Sequence, residues 1–300
     1  VACYKPLKGW RAPNGQIVFN RAKSIGQTAT AQCGQCIGCR LAKSQEWALR
    51  IMHEAKCHEN NQFVTLTYDR ENLPIDGSLV LEHFQKFMKK LRKAVSPHKI
   101  RQYHCGEYGD NFDRPHYHAA LFGLELTDEE LYGHSNGEPL YTSQFLRDLW
   151  GRGLVVVGTL THESAAYIAR YCTKKVNGRK RDEGHYLRSC PITGETTEVL
   201  PEYSTMSNRP GIGRSHFERY PSDFFPSDEA VHAGRILKPP RYYAEIYKLA
   251  DPEGWEEVRQ KRRVFASRHA LDNSDERLAA RECVKKAQFK MLPRSYDNET

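Results

Sequence analysis

The sequence predicts an α+β protein built on an antiparallel sheet of split βαβ type, with a cysteine-rich N-terminal element and a helical C-terminal extension. Three observations predict it. Phe63-Val-Thr-Leu-Thr-Tyr68 alternates at period two, Leu81–Val95 repeats apolar residues at helical spacing, and Leu154-Val-Val-Val157 is an apolar run of strand length.

Residues 1–40 hold Gly, Pro and three clustered cysteines but little periodicity, and they read as irregular. From Arg40 to Glu59, Leu41, Trp47, Ala48, Ile51, Met52 and Ala55 recur as on one side of a helix. The strand at 63–68 ends in the turn residues of Asp69–Gly77. Leu81, Phe84, Phe87, Met88 and Leu91 then form the apolar face of a second helix. Strands follow near Ile100–Glu107 and His116–Leu124, joined by the turn-rich segment Tyr108–Pro115. Residues 125–142 read as a polar loop, and Thr142 or Ser143 caps a short helix to Trp150. After the 154–157 strand, Thr161 opens a helix expected to reach Lys175, with Glu163 in the first turn where the helix dipole favours an acid. The order β-α-β-β-α-β-α is the ferredoxin-like plan, with helices expected on one face of the sheet. Residues 177–225 are loop-rich. The last seventy or so are charged and mostly helical, broken by Pro239-Pro240 and Pro252. The expected divisions are residues 1–60, 61–180, 181–225 and 226–300.

Composition narrows the function. Lys and Arg number 45 against 37 Asp and Glu, a net charge of +8, which fits a polyanionic partner without proving one. No stretch approaches the roughly 18 apolar residues of a membrane span, and no secretory leader is recognisable, so a cytoplasmic protein without a membrane partner is expected. No G-x4-G-K-[ST] occurs, which argues against a Walker-type ATPase and a nucleotide cofactor. Nine cysteines, an odd number in a long chain, do not read as a secreted disulfide framework.

Three constellations carry chemistry. Cys33-x2-Cys36-x2-Cys39 is the sharpest, since chance gives such a run in only ~1% of shuffled sequences. Gly34 and Gly38 permit tight turns, and Cys3 supplies a fourth thiolate for tetrahedral Zn²⁺. A closed site of that kind would pin the N-terminus to the following helix; an iron–sulfur cluster is the alternative. Second, His116-Tyr117-His118 places two imidazoles on one face of a strand. Glu107, across a hairpin, could complete a set that holds Mg²⁺ or Mn²⁺ and leaves room for a phosphate oxygen. The bland alternatives are a solvated strand face and an exposed hairpin acid. Third, Tyr167 and Tyr171 share a helix face, with Lys174 and Lys175 one turn on to stabilise a phenolate. A core tyrosine pair is the alternative here, and a second pair with the same spacing, Tyr243 and Tyr247 before Lys248, reads as packing. Arg209 and Arg214, beside Gly211 and Gly213, could grip DNA phosphates or belong to a plain surface loop.

Phe63–Tyr68, Gly106-Glu-Tyr-Gly-Asp110 with Arg114-Pro-His-Tyr-His118, and Tyr167-x3-Tyr171 with Lys174-Lys175 come in the order of the three motifs of HUH endonucleases. The chain most resembles the replication initiators of microviruses, small icosahedral single-stranded DNA phages, especially the gokushovirus branch. Cys33–Cys39 and Ser207-Asn-Arg-Pro-Gly-Ile-Gly213 also look like that group, and the likeness runs from about residue 30 to 215. The resemblance implies an HUH-type nuclease core over 61–180, with a divalent metal on His116, His118 and Glu107. It makes Tyr167 and Tyr171 the nucleophiles, assisted by Lys174 or Lys175. The implied activity is nicking and rejoining of single-stranded DNA at a phage origin, in the host cytoplasm, with helicase and polymerase borrowed from the bacterial host. The rival readings are a plasmid relaxase, a tyrosine transposase, or a non-catalytic zinc-stapled DNA-binding module. A histidine-triad hydrolase fits poorly, because position 120 is Ala.

Overall fold

Burial on both faces of the central strands organises the chain. The computed structural model describes residues 3–109, 114–135, 137–170, 183–189 and 193–291. They form two compact units, Val1–Lys43 with Arg259–Pro293, and Ser44–Val258.

In the first unit, β1 (Leu7–Arg11) pairs with β2 (Ile17–Val18) and β3 (Thr28–Ala31) in a three-stranded antiparallel sheet. The sequence pattern predicts irregular chain here; Lys8, Arg11, Thr28 and Thr30 face solvent, so no apolar alternation announces the strands. Helix α1 (Ile37–Ala55) follows, and the chain passes into the second unit within it.

The second unit is a seven-stranded sheet in the order β12-β5-β6-β4-β9-β8-β7, antiparallel at every pairing. Its strands are β4 (Asn61–Thr67), β5 (Arg101–Tyr108), β6 (Pro115–Phe122), β7 (Glu129–Ser135), β8 (Glu138–Ser143), β9 (Val155–Thr159) and β12 (Tyr203–Met206). β4 leads through α2 (Leu81–Ala94) to β5, which lies parallel to it with β6 between them. β6 leads through β7, β8 and α3 (Gln144–Trp150) to β9, parallel to it with β4 between. These two interleaved crossovers are the split βαβ order the sequence predicts.

The helices cover both faces, not one. Val64, Leu66, Tyr117, Leu121, Val155 and Val157 pack under Phe84, Phe87, Met88 and Leu91 of α2 and Leu146 and Trp150 of α3. The opposite face, with Phe63, Tyr103, Cys105, Ala120 and Phe122, packs under Ala48, Ile51 and Ala55 of α1 and Ala165, Tyr167 and Ile168 of α4 (His162–Ala169). All eight residues of β6 are buried, which two covered faces require.

Helix starts match the caps read from sequence. Ser143 accepts from Leu146 N at the head of α3, and Thr161 and Ser164 form a reciprocal capping box on α4. Two segments differ from expectation. The expected polar loop 125–142 contains the β7–β8 hairpin, and the loop-rich stretch after 177 contributes a small hairpin, β10 (Leu187–Ser189) with β11 (Thr196–Glu198), and the sheet-edge strand β12. The C-terminal part carries the β13–β14 hairpin (Ala230–His232 and Arg235–Leu237), short helix α5 (Arg214–Arg219), and α6 (Arg241–Ala250), α7 (Pro252–Arg268) and α8 (Asp275–Lys290).

Glu54 of α1 fastens this arrangement. Only 2% exposed, its carboxylate accepts from the Arg101 guanidinium of β5, from Gly213 N at 2.6 Å, and pairs with His58 Nε2 at 3.3 Å. Burial alone would raise the Glu54 pKa, but the bonds from His58, Gly213 and Arg101 carry it below its ordinary 4.5. A carboxylate with a depressed folded pKa contributes stability that is present above the unfolded value and lost as pH falls through the folded one. Glu54→Gln should therefore cost about 3 kcal/mol at pH 7. The gap between variant and wild type should narrow below about pH 4.5, as read by thermal unfolding across a pH series. A gap that stays constant to pH 3 would mean that the charge contributes nothing.

Candidate active site

Register puts the ligands together. In the β5–β6 pairing Glu107 stands opposite His116 and Cys105 opposite His118, while Thr65 of β4 stands opposite His118 on the other side. Side chains alternate across a strand, so Glu107, His116, His118 and Thr65 share one face, the face covered by α1 and α4. Glu107 Oε1 lies 3.4 Å from His116 Nε2 and 3.2 Å from His118 Nε2. The ligand atoms of the three residues all lie within 4.8 Å of one another, and all three residues are buried. Glu107 is 2% exposed, which removes the alternative of a solvated hairpin acid.

Neighbouring groups aim the imidazoles. His116 Nδ1 lies 3.1 Å from the Arg114 carbonyl, which can only accept, so Nδ1 carries the proton and the bare Nε2 points at Glu107. His118 Nδ1 lies 2.9 Å from Thr65 Oγ1, and Phe63 stacks on the same ring at 5.6 Å. Imidazoles oriented through their second nitrogen beside a carboxylate suit a hard divalent cation with open positions, so the donor set fits Mg²⁺ or Mn²⁺. Thr65 and the Arg114 carbonyl are not singled out by the sequence. The signal for Thr65 is its place two residues after Phe63 in an alternating strand; nothing in the sequence marks a backbone carbonyl.

Tyr167 meets this cluster. Its hydroxyl donates to Glu107 Oε1 at 3.0 Å, and its ring stands edge-on to His118 at 4.9 Å. The Arg170 guanidinium lies 5.3 Å from the centre of the Tyr167 ring, a cation that the sequence pattern does not pick out. Tyr171, Lys174 and Lys175 lie outside the described residues. The rival pair is elsewhere: Tyr243 and Tyr247 are buried with Leu49, Phe217, Phe224 and Phe225, Tyr243 bonded to His53 and Tyr247 to Asp251. Burial pushes both phenols above their ordinary range.

The glycine-flanked arginines do not join the site. Arg214, exposed, pairs with Glu218 at 2.6 Å, and the exposed Arg209 offers its carbonyl to Arg101. The segment around them is held by packing. Ile212 is in the core, its carbonyl accepts from Arg50 at 3.0 Å, and Gly213 at φ +78 leaves no room for a Cβ beside Tyr243.

A second set of potential metal ligands occupies the first unit. The sulfurs of Cys3, Cys33, Cys36 and Cys39 lie within 4.8 Å of one another. Tyr4 N donates to Cys36 Sγ at 3.2 Å, Cys33 N to Cys3 Sγ at 3.3 Å, and Gln35 N and Cys36 N to Cys33 Sγ at 3.4 and 3.3 Å. Burial works against ionisation of Cys36, but hydrogen bonds, first from the Tyr4 and Cys39 backbone, bring its pKa down to about 7. Four sulfurs, three of them buried and supplied with N–H donors, match a closed tetrahedral thiolate site.

A family model described as replication-associated protein ORF2 matches residues 61–176, the stretch that holds the histidines and Tyr167. Replication-associated protein VP4 of Bdellovibrio phage phiMH2K is 34% identical over 275 residues, covering 86% of this chain and 81% of the relative. The chain belongs to this replication-associated protein family. Replication-associated protein ORF2 of Spiroplasma virus 4 is 31% identical, over 81% of this chain and 79% of the relative. Replication-associated protein ORF4 of Chlamydia phage 1 is 30% identical, over 72% and 53%. No solved structure gives a significant match. Among the described residues of this replication-associated protein, no helix is long and apolar enough to cross a membrane.

If Thr65 orients a metal ligand, Thr65→Val should weaken Mn²⁺ affinity about tenfold while His118→Ala weakens it further. Titration followed by the electron paramagnetic resonance of free Mn²⁺ reads both. Wild-type affinity in His118→Ala would remove the cluster as a metal site.

Proposed function

We propose that this replication-associated protein is a rolling-circle replication initiator of HUH type, which nicks and rejoins single-stranded DNA through a covalent 5′-phosphotyrosine. The observation that carries the reading is the buried Glu107–His116–His118 cluster with the Tyr167 hydroxyl bonded to Glu107.

A divalent cation held by Glu107, His116 and His118 would draw charge from a non-bridging oxygen of the scissile phosphate. The residues do the rest. Tyr167 Oη attacks phosphorus, its proton already aimed at Glu107 Oε1. The bond to the 3′-oxygen breaks, and that oxygen takes a proton from solvent and leaves as a primer terminus. One phosphodiester is exchanged for another, so the step is close to balanced and the same groups run it backwards to close a circle. Arg170 adds a positive charge near the phenol as it ionises. Tyr171 follows four residues later in sequence, which suits alternate use: one tyrosine holds the parental 5′ end while the other attacks the regenerated origin, with Lys174 or Lys175 assisting. The partners on this reading are single-stranded DNA at a phage origin and the helicase and polymerase of the bacterial host, in whose cytoplasm the protein acts. The four thiolates hold Zn²⁺ in a structural role.

The test is incubation with a 3′-labelled origin oligonucleotide and Mn²⁺. Label should move onto the protein, His116→Ala and His118→Ala should abolish transfer, and Tyr167→Phe and Tyr171→Phe should each retain some cleavage. The double mutant should form no adduct, and multi-round circle production should fail in either single mutant. Adduct mapping to Tyr243 or Tyr247 would sink the site. No adduct on any such oligonucleotide would favour a binding module.

Metal analysis tests the thiolates separately. Purified protein should carry zinc, and Cys36→Ser should lower thermal stability more than nicking; iron with a visible charge-transfer band would overturn the zinc assignment.

A further inference from the structure

Charge is divided unequally between the two units. Residues 1–43 contain seven Lys and Arg and no Asp or Glu. Residues 259–293, the other part of the first unit, contain ten Lys and Arg against four acids. The first unit therefore holds 17 basic and four acidic residues, a net +13. Subtracting these from the chain totals of 45 and 37 leaves 28 basic and 33 acidic residues, a net −5, in the remainder. The modest overall charge of +8 conceals a strongly basic module joined to a mildly acidic one.

The basic side chains are at the surface. Lys8 and Arg11 on β1, and Arg21 and Lys23 on a single 3-10 turn, are exposed, as are Arg268 and Lys290 at the ends of α7 and α8. Two of the unit's four acids are already engaged by its own cations, Glu282 with Lys5 and Lys286, and Asp272 with Arg277. Such an excess repels itself, and a polyanion that releases condensed counterions on binding relieves it. The aromatic ring of Phe19, 59% exposed, stands two residues before Arg21, and an apolar ring beside cations suits a nucleobase next to its phosphates. The four thiolates lie in the same unit, so a bound zinc would hold the N-terminal segment that presents these cations.

We infer that the first unit is a DNA-binding module that grips the phosphate backbone, separate from the Glu107–His116–His118 site in the second unit. The inference rests on the nicking reading only for the identity of the polyanion.

The experiment measures binding of the purified full chain to fluorescent duplex and single-stranded oligonucleotides by anisotropy. A salt series without added divalent cation makes the result independent of cleavage. Lys8→Gln/Arg21→Gln/Lys23→Gln should lower affinity at least tenfold and flatten the plot of log affinity against log salt. The expected loss of slope is about 0.9 per lost duplex contact or about 0.7 per lost single-strand contact. Arg268→Gln/Arg281→Gln/Lys290→Gln, in the other segment of the unit, should act in the same direction. Lys86→Gln/Lys89→Gln/Lys93→Gln, three exposed cations of α2 in the second unit, should keep the wild-type affinity and slope. Thermal midpoint and zinc content confirm that each variant is folded. Wild-type affinity and slope in both first-unit variants, or an equal loss in the α2 variant, overturns the inference. A chain that binds through the first unit but forms no adduct with Mn²⁺ would overturn the nicking reading and leave this one standing.

Discussion

Everything at the candidate site depends on the register of β5 against β6. Side chains change face at every residue, so a slip of one position would turn His116 and His118 into the packing under α2 and bring Tyr117 to Glu107. The protein fixes the register on the side away from the site. Tyr117 Oη donates to the Val80 carbonyl and accepts from Val80 N, both at 2.9 Å, and lies 2.7 Å from Tyr68 Oη. These bonds are buried and satisfied, so a shifted strand would leave several polar groups without partners or water. Gly106 adds a steric restriction: a Cβ there would meet Leu79 and Tyr203 at 3.0 Å, so the β5 backbone runs close beneath its neighbours.

A buried carboxylate beside two imidazoles is costly if it only holds the fold together. With both imidazoles neutral, Glu107, His116 and His118 carry one formal negative charge between them, in a place where each is under 10% exposed. Desolvating that charge opposes folding, and a cation bound among the three ligands offsets the cost. The placement of Tyr167 follows from a separate local device. The Thr161–Ser164 box starts α4 two residues after β9 ends, and Ala165 and Ile168 seat the helix on the sheet. Tyr167, on the same buried side, is thereby carried onto Glu107. Ligands come from the sheet and the nucleophile from a helix that the sheet positions, so neither depends on a loop for its geometry.

Much of this was legible because the signals were local. His-x-His on a strand, the hairpin returning to Glu107, the Ser143 and Thr161 caps and the four-cysteine set each follow from spacing alone. The missed elements have little alternation to read. β7 exposes residues on both faces, and all four residues of β12 are half-buried, so neither shows a period of two. Coverage of both sheet faces was missed because Thr65 and Thr67 make β4 look half-solvated. In the structure those threonines face the imidazoles, Thr65 through a hydrogen bond to His118. The loop of Arg209 and Arg214 misled in the opposite direction. Its glycines looked like a phosphate cradle, whereas Gly211 and Gly213 are small because Tyr242 and Tyr243 press against them. A glycine pattern reports close approach, and sequence cannot say whether backbone, side chain or ligand approaches.

The division of charge bears on how a reversible nicking site would work. Phosphate contacts hold DNA without regard to sequence, so a catalytic unit rich in cations would bind substrate, product and unrelated strands alike. Here the unit with the candidate site is net acidic, and the cations at that site come down to Arg170 and whatever metal the three ligands hold. Residence on DNA then falls to the basic unit, which raises the effective concentration of strand at the site without tightening the grip on the reacting phosphate. Stronger binding of the ground state would not speed the transfer, because only interactions gained in the transition state do. A phosphotyrosine that must be reversed after each round is served by such an arrangement: the basic unit keeps the 3′-hydroxyl near while the acidic unit leaves it free to attack.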